Sequence, residues 1–217
     1  MNKIKIVVCV LLGLLLLVWI NRRSSSPQVV GEKVSESALP LKYAHGFSVS
    51  KLPDDHGYLL NLNGTDASQP NVVLLLRKGA ENTLSISQET RCVTIPVDRV
   101  ACNSTTHLEF LRLLGVTSKL CGMCNAEYVY SDTIYQKVKQ GEIVQLGNSM
   151  QVDRERLLLA NPDVLYLSDE REKPASANCN IMVCEEWKES TALARAEWIK
   201  FFALFFDQYA LADSLFN

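Results

Sequence analysis

Polar side chains that could contact a ligand follow several short apolar segments in the middle of the chain. The clusters lie at 103–107, 125–130, 147–150 and 168–170. In an open α/β sheet, ligands bind outside the carboxyl ends of the strands, so residues that directly follow a strand are the first candidates. The free amides at the start of a helix near Thr105 would favour an anionic group, such as a carboxylate or a chelator oxygen.

Two kinds of residue in these clusters could recognise a small molecule. Hydroxyl and amide side chains could hydrogen-bond to it, and Tyr128 and Tyr130 could stack on a flat ligand. Each also has a structural explanation, because Ser, Thr and Asn cap helices and aromatic side chains pack in cores. His107 shares a helix face with Phe110 and Leu111, which favours a core role over ligation. The candidate ligand contacts are Ser104, Thr105, Thr106, Tyr128, Asn148 and Ser149.

A Cys-x-x-Cys pair is formed by Cys121 and Cys124. In thioredoxin-like proteins this motif opens a helix, where the first thiol has a low pKa. Here the pair ends a strand candidate, and neither a second pair nor a histidine at zinc-ligand spacing accompanies it. Packing or a disulfide is favoured, a tethered thiol oxidoreductase is an alternative, and no metal site or cofactor is expected. The cysteines beyond the N-terminal apolar segment would permit three disulfides in an exported domain: Cys92, Cys102, Cys121, Cys124, Cys179 and Cys184.

The elements that must position these clusters alternate between strand and helix patterns. The segment 164–167 is apolar on both faces, as a parallel strand between two layers of helices requires. Ser104 or Thr105 can cap the first helix, and Gly115 suits its end. The alternation predicts an α/β fold, with a parallel sheet and flanking helices, over 98–190. The predicted strands are 97–102, 119–124, 142–146 and 164–167, and the predicted helices are 104–115, 133–140 and 153–160.

A β-rich lead-in is predicted at 41–97. Segments 43–52 and 58–62 have strand patterns, and the Pro-Asp-Asp-His-Gly junction between them suits a hairpin. A further strand is predicted at 71–76. We expect this lead-in to extend or cover an edge of the parallel sheet.

The segment 191–217 is predicted to be one long helix. Aromatic residues recur on one side at helical spacing, and charged residues interrupt the apolar pattern, which excludes a membrane span. An exposed part of the aromatic face, at Phe202, Phe206 and Tyr209, would be an association surface. Three acidic residues that precede the helix are expected in a solvated loop: Glu185, Glu186 and Glu189.

The apolar segment from Ile6 to Ile20 indicates export of the rest of the chain. Lysines precede it, as in a secretory signal, but arginines come next and no small-residue cleavage site follows. We therefore favour an uncleaved membrane anchor over a signal peptide for 1–23. The Ser- and Pro-containing segment 24–40 is then a flexible tether that holds the domain near the membrane.

The composition excludes some functional classes. The 217-residue chain has a formal net charge of −2 and 21% charged residues, which gives no basic surface for nucleic acid. The sequence has no recognisable nucleophile with a neighbouring base and no Gly-rich phosphate loop. It therefore points to a binding protein rather than an enzyme.

Four segments resemble motifs of one protein family. In their order and spacing they are similar to the N-terminal lobe and inter-lobe helix of the periplasmic binding proteins of ABC importers, of the ferric siderophore, haem and cobalamin type. The resemblance implies a ligand-binding lobe at 98–190 and an inter-lobe helix at 191–217, with the second lobe absent and the protein truncated. The matching segments are Arg99–Val100 with 104–107 and 113–115, then 146–149, then 157–165, and last Glu186–Trp187 with 194–202.

The resemblance also implies a function. Members of the family capture a chelated metal and deliver it to an ABC permease, without catalysis. The expected partners are a small-molecule metal chelate, a permease and, through the N-terminal apolar segment, the membrane, with the domain in the periplasm. The alternative is a non-catalytic interaction module, built on a remnant single lobe, that binds another protein through its aromatic helix.

Overall fold

The computed structural model of the chain describes residues 37–63, 71–84, 86, 90–148 and 151–217. The predicted anchor, the tether up to residue 36 and the candidate Ser149 lie outside the described residues. Within the described part, no helix is long and apolar enough to cross a membrane. Two five-stranded sheets share one large hydrophobic core with the C-terminal helices.

The lead-in forms a five-stranded sheet of its own. In spatial order its strands are β1 (Ser37–Leu39), β2 (Phe47–Lys51), β3 (Gly57–Leu62), β4 (Asn71–Arg77) and β5 (Arg91–Ile95). The predicted hairpin is confirmed, since β2 and β3 are antiparallel and the 3-10 turn Pro53–Asp55 connects them. Gly57 is required where β3 begins, because its φ is +135° and an added Cβ would lie 1.9 Å from the Leu75 carbonyl oxygen.

The first sheet does not extend the parallel sheet, so that part of the expectation is wrong. In line with the other part, that the lead-in covers an edge, Nη2 of Arg91 in β5 donates at 2.6 Å to the carbonyl oxygen of Ile181 in an edge strand of the parallel sheet. Its inner face is apolar and requires a covering layer. The ring centroids of Phe47 and Trp198 are 5.0 Å apart, and those of Phe47 and Phe201 are 5.6 Å apart. The C-terminal segment therefore packs against the face of this sheet.

The second sheet is parallel throughout, which confirms the predicted fold class. Its order is β12-β11-β6-β7-β8. All four residues of β11 are buried, as the apolar pattern predicts. β12 was not predicted, because its Asn-Ile-Met-Val sequence begins with a polar residue and lacks the wholly apolar pattern of β11. The strands are β6 (Val100–Cys102), β7 (Leu120–Met123), β8 (Val144–Gln145), β11 (Val164–Leu167) and β12 (Asn180–Val183), and β9 (Gly147–Asn148) pairs separately with β10 (Gln151–Val152).

The three helices predicted between these strands are confirmed. Ser104 caps the first, since its Oγ accepts a hydrogen bond from the Thr106 amide at 3.2 Å, and Gly115 follows its end with a φ of 71°. Asp153 caps the third, accepting from the Arg156 amide at 3.0 Å. Local capping chemistry therefore fixes these helix ends. The helices are α1 (Thr105–Leu113), α2 (Asp132–Lys139) and α3 (Arg154–Ala160).

The structure divides the predicted C-terminal helix into three. They are α4 (Ala192–Glu197), α5 (Ile199–Leu204) and α6 (Tyr209–Phe216). Between α5 and α6, Asp207 has a left-handed φ of 57°. Its carboxylate accepts from Nε and Nη2 of Arg77 at 2.7 and 2.8 Å and from the Tyr58 hydroxyl at 3.1 Å. The break is therefore held in place by side chains of the first sheet.

The aromatic face of the C-terminal segment is buried rather than exposed. Phe202 stacks on Phe110 with a centroid separation of 4.9 Å and lies 4.9 Å from Tyr166. Phe206 is buried as well, and Tyr209 is half-buried. These residues therefore do not form the predicted association surface, because the parallel sheet and α1 cover them. The interaction-module alternative loses the surface on which it was based.

Two buried carboxylates fasten the start of the lead-in to the C-terminal segment. The amides of residues 42–44 donate to Glu197 over 2.7–3.1 Å. The amides of residues 45–46 each donate to Oε1 of Glu189 at 2.8 Å. Glu186 is buried too. The expectation of a solvated acidic loop is therefore wrong for Glu186 and Glu189, whose burial depends on partners distant in sequence.

Candidate ligand-binding rim

The order of the parallel sheet places a topological switch point between β6 and β11. From β6 the chain continues to β7 and β8 on one side, and later to β11 and β12 on the other. Ligands of open α/β sheets bind in the crevice outside the carboxyl ends of the strands at such a point. We call the residues that follow these strands the rim, which comprises 103–107, 125–130, 147–148, 168–172 and 185–188.

A hydrogen-bonded network crosses the switch point. Oδ1 of Asn103 accepts from the Ser168 amide at 3.0 Å, and its Nδ2 donates to Oε2 of Glu172 at 2.6 Å. The same carboxylate oxygen accepts from the Ser168 hydroxyl at 3.1 Å and from the Asp169 amide at 3.0 Å. The sequence interpretation missed Glu172. The Asp-x-x-Glu spacing of Asp169 and Glu172, which forms a capping box, could have revealed it.

The first turn of α1 forms one wall beside this network. Ser104 acts as the N-cap, and Thr105 and Thr106 are half-buried and exposed, respectively. The first turn contains no acidic side chain, so the positive end of the helix is not neutralised by its own residues. Capping accounts for Ser104, and ligand contact by all three residues stays a prediction.

The loop after β7 carries two exposed aromatic rings. Asn125 adopts a left-handed φ of 51°, and the 3-10 turn Ala126–Tyr128 follows. The side chain of Tyr128 is 66% exposed and that of Tyr130 is fully exposed. The explanation that these rings serve only for packing therefore does not hold. Both have a face available for stacking on a flat molecule.

Strand β9, which carries Asn148, adjoins the loop that carries Tyr128 and Tyr130, called the tyrosine loop below. The Asn125 amide donates to the Gly147 carbonyl oxygen at 3.2 Å, which connects the two rim segments. Oδ1 of Asn148 accepts from the Gln151 amide at 3.0 Å within the turn. Asn148 thus has a structural role in this turn, and its contact with a ligand stays a prediction.

Trp187 completes the opposite side of the rim. Its indole Nε1 donates to the Ser168 carbonyl oxygen at 2.8 Å, and its side chain is 47% exposed. Lys188 Nζ lies 5.4 Å from the ring centroid. The sequence interpretation did not place Trp187 on the rim, because β12, which positions it, was not predicted.

Cations on this side of the rim are paired with carboxylates. Arg171 contacts Asp169 at 2.7 Å, and Lys188 contacts Glu185 at 2.6 Å. The hydrogen bonds from the side chain and backbone of Arg171 lower the pKa of Asp169 to about 2. Asp169 therefore stays ionised at neutral pH, and its charge offsets that of Arg171 towards an approaching ligand.

The Cys-x-x-Cys pair is buried and does not form an active thiol site. Burial raises the pKa of Cys124 to about 12 and also raises the pKa of Cys121, whose thiol donates to the Val100 carbonyl oxygen at 3.2 Å. Nucleophilic thiols need a lowered pKa and access, so these properties argue against the thiol oxidoreductase alternative. The described cysteines are all free thiols: Cys92, Cys102, Cys121, Cys124, Cys179 and Cys184.

Comparisons with curated proteins give two relatives from Methanocaldococcus jannaschii. One, named an uncharacterized lipoprotein, is 22% identical over an alignment of 224 positions, which covers 91% of this chain and 54% of the relative. The other, named an uncharacterized protein, is 27% identical over 115 residues that cover 49% of this chain and 34% of the relative. No protein-family model matches the chain. The chain thus spans about a third to a half of the length of these relatives.

Among solved structures, the chain is similar to several binding proteins. A periplasmic haem-binding protein from Pseudomonas aeruginosa is 20% identical with a TM-score of 0.43, covering 55% of this chain and 42% of that one. A petrobactin-binding protein from Bacillus subtilis is 14% identical (TM-score 0.42, 54% and 41% covered). A periplasmic vitamin B12-binding protein from Vibrio cholerae is 13% identical (TM-score 0.40, 56% and 46% covered). The resemblance to periplasmic binding proteins is thus a partial one, over about half of the chain.

Proposed function

We propose that this chain is the substrate-binding component of an ABC importer and captures a chelated metal, such as a ferric siderophore, haem or cobalamin, without catalysis. The observation that carries the proposal is the pair of exposed rings, Tyr128 and Tyr130, on the carboxyl-end rim of a parallel sheet. Exposed aromatic rings on such a rim offer a planar, apolar surface where ligands of this fold class bind.

The rim offers complementary groups for the two parts of such a ligand. The tyrosine rings would stack on a flat macrocycle or an aromatic chelator. The hydroxyls of Thr105 and Thr106, with the free amides of the first turn of α1, would hydrogen-bond to a carboxylate or chelator oxygen. Asn148 would contact the ligand from the neighbouring strand β9, and Ser149 is a further proposed contact.

The proposed location is the periplasm, with the domain tethered to the membrane. The N-terminal apolar segment supports this location, and one relative is named a lipoprotein. A permease is the proposed macromolecular partner. The same rim would then have to release its ligand to that permease.

Binding of three probes tests the proposal. Hemin, cyanocobalamin and a ferric hydroxamate are titrated against the full-length chain, with quenching of protein fluorescence as the signal. We expect micromolar or tighter binding of at least one probe. In the double variant Tyr128→Ala/Tyr130→Ala that binding weakens about fivefold or more, because stacking contributes about 0.5–1.5 kcal/mol per ring.

The matched control is Leu159→Ala, which removes a side chain that is 75% exposed on α3 and not on the rim. This variant should bind the probe as the wild type does. Failure of all three probes to bind, or equal affinity of the tyrosine variant, would contradict the proposal.

A further inference from the structure

Exposed aromatic side chains are concentrated on the rim. Among the described residues four are exposed, and three of them belong to the rim: Tyr128, Tyr130 and Trp187. The fourth, Tyr43, lies in the lead-in, with its ring centroid 5.9 Å from that of Phe216. Single exposed apolar residues are normal on a protein surface, whereas their concentration at one edge is typical of a binding groove. The exposure of Trp187 therefore points to a ligand.

Trp187 is held in place without being buried. It lies in the 3-10 turn Glu186–Lys188 after β12, and its indole Nε1 donates to the Ser168 carbonyl oxygen at 2.8 Å. Nζ of Lys188 lies 5.4 Å from the ring centroid. Even so, Trp187 is 47% exposed, whereas the core residue Trp198 is 1% exposed. A rigid, exposed aromatic ring offers contact area to a ligand at a low cost in conformational entropy.

The strand order gives the separation between Trp187 and the tyrosine loop. The indole contacts Ser168, the residue directly after β11, and the tyrosine loop follows β7. Only β6 lies between β11 and β7, and neighbouring strands are about 4.7–4.9 Å apart, so the ends of β11 and β7 are about 9–10 Å apart. The end of β6 and the first turn of α1 lie between the two aromatic groups.

This separation allows one flat molecule to contact both sides. Stacked rings have centroids about 4.5–7 Å apart, so a ring system between two others requires about twice that distance, or about 9–14 Å. Such a molecule would lie over the end of β6, beside the hydroxyls of Thr105 and Thr106. Polar groups at its periphery could then hydrogen-bond to that turn.

The charge of the rim disfavours a highly anionic chelate. Its arginine and lysine side chains are Arg171 and Lys188, and each is paired with a carboxylate, at 2.7 and 2.6 Å. A ferric catecholate carries aromatic rings but is highly anionic, and a ferric hydroxamate has no flat aromatic face. A porphyrin or a corrin has two broad apolar faces and a lower charge. The acidic residues of the rim are Glu127, Asp169, Glu170, Glu172, Glu185 and Glu186.

We propose that Trp187 contacts the ligand and that the ligand is a flat macrocyclic chelate, a porphyrin or a corrin, bound between Trp187 and the tyrosine loop. One side of the macrocycle packs against the indole, and the other side packs against the tyrosine rings. The inference rests on the proposed function and selects one of the ligand classes named there. It adds Trp187 to the ligand contacts as a residue that determines specificity.

Binding to two variants of Trp187 tests the contact. Hemin, cyanocobalamin and ferrioxamine B, a ferric hydroxamate, are titrated against the full-length chain, with their visible absorption as the signal. We expect at least one macrocycle to bind more tightly than ferrioxamine B. Trp187→Gln retains an N–H donor but removes the ring, so macrocycle affinity falls about threefold or more. Trp187→Phe retains a ring and loses the donor, so affinity stays within about twofold of the wild type.

The indole signal of Trp187 in a nuclear magnetic resonance spectrum reports the contact directly. Tryptophan is labelled with ¹⁵N, since the chain has only three, and Trp187→Phe identifies the signal of Trp187. The diamagnetic probes are gallium protoporphyrin and cyanocobalamin. The macrocycle that binds should shift the signal of Trp187 and leave that of the buried Trp198 nearly unchanged. A Trp187 signal that stays constant at saturation would overturn the contact.

The matched control is Tyr43→Ala, which removes the exposed aromatic ring that lies outside the rim. This variant should bind the macrocycle as the wild type does. An equal loss of affinity in Tyr43→Ala and Trp187→Gln would show that the effect is not specific to the rim and would overturn the contact.

The outcomes separate this inference from the proposed function. Undiminished macrocycle affinity in Trp187→Gln would overturn the contact and leave the function standing. An equal loss in Trp187→Phe and Trp187→Gln would also overturn it, because the hydrogen bond to Ser168 would then be the contribution of Trp187. Binding of ferrioxamine B alone would support the function and overturn the macrocycle as the ligand. If none of the three probes binds, both proposals are wrong.

Discussion

The carboxylate of Glu172 shows how one side chain can organise the switch point. It accepts hydrogen bonds from Nδ2 of Asn103, the Ser168 hydroxyl and the Asp169 amide. Glu172→Ala leaves these donors without their acceptor in a partly buried place. We expect the free energy of unfolding to fall by about 1–3 kcal/mol, measured by urea denaturation.

The control for this change is Glu127→Ala, which removes an exposed glutamate from the tyrosine loop. Surface changes of this kind are usually within about 0.5 kcal/mol of the wild type. Equal stability of the two variants would show that the network contributes little.

Asp207 combines two separate properties that substitutions can distinguish. Its left-handed φ of 57° is tolerated by Asn but is costly for Ala, by about 1–2 kcal/mol. Its charge pairs with Arg77. We expect Asp207→Asn to lower the free energy of unfolding through the lost charge. Asp207→Ala should lower it further, through the left-handed φ and the loss of both acceptor oxygens that Asp207 offers to Arg77 and Tyr58. Thermal unfolding should therefore rank Ala below Asn and Asn below the wild type. The reverse order would mean that backbone strain is unimportant at this position.

At the scale of elements, the attachment of the lead-in to the C-terminal segment depends on hydrogen bonds to ionised carboxylates. Burial alone would raise the pKa of Glu197, but hydrogen bonds from the amides of residues 42–44 and from Lys200 outweigh it. The pKa therefore lies below the ordinary value of 4.5. The pKa of Glu189 is lowered in the same way, since the amides of residues 45–46 and the Trp198 indole offset its burial.

This balance predicts a sensitivity to acid. A carboxyl group whose pKa is lower in the folded state contributes stability above its unfolded pKa, near about 4.3, and loses it as the pH falls through the folded pKa. We expect the Tm to decline below about pH 4.3 and to decline less steeply in Glu197→Gln. Calorimetry between about pH 7 and pH 3 measures both slopes. An identical decline in the variant would exclude Glu197 as a source of the acid sensitivity.

The elements differ in how well their sequences predict them. The limits of α1 and α3 follow from capping residues within the same few positions, Ser104, Gly115 and Asp153, so sequence reasoning finds them. The break at Asp207 depends on Arg77, 130 residues earlier in the chain. Local periodicity cannot show such a partner, which is why one continuous helix was expected.

At the scale of the whole molecule, α5 joins the two sheets into one core. Phe201 packs against Phe47 of the first sheet and near Tyr166 of the second, with centroid separations of 5.6 and 6.5 Å. Phe201→Ala should lower the free energy of unfolding by about 3–5 kcal/mol. Circular dichroism and tryptophan fluorescence should still report one shared transition. Separate transitions for the two signals would show that the sheets unfold independently.

The candidate site was only partly predictable for the same reason. The rule that ligands bind outside the carboxyl ends of strands needs only the ends of the predicted strands, so the rim segments at 103–107, 125–130 and 147–148 could be proposed from sequence. The roles of Glu172 and Trp187 depend on β12 and on contacts across the switch point. These become visible only when the strands are assembled.

The hydrogen bonds from the amides of residues 42–46 to Glu197 and Glu189 affect how the protein would resist a pulling force. Tension applied at Ser37 would load the three-residue edge strand β1 first, and this strand can be peeled away from β2 one pair at a time. The next residues are held by several hydrogen bonds to the buried carboxylates of Glu197 and Glu189. We therefore expect the force needed to extend the chain to rise once β1 is detached and residue 42 is reached.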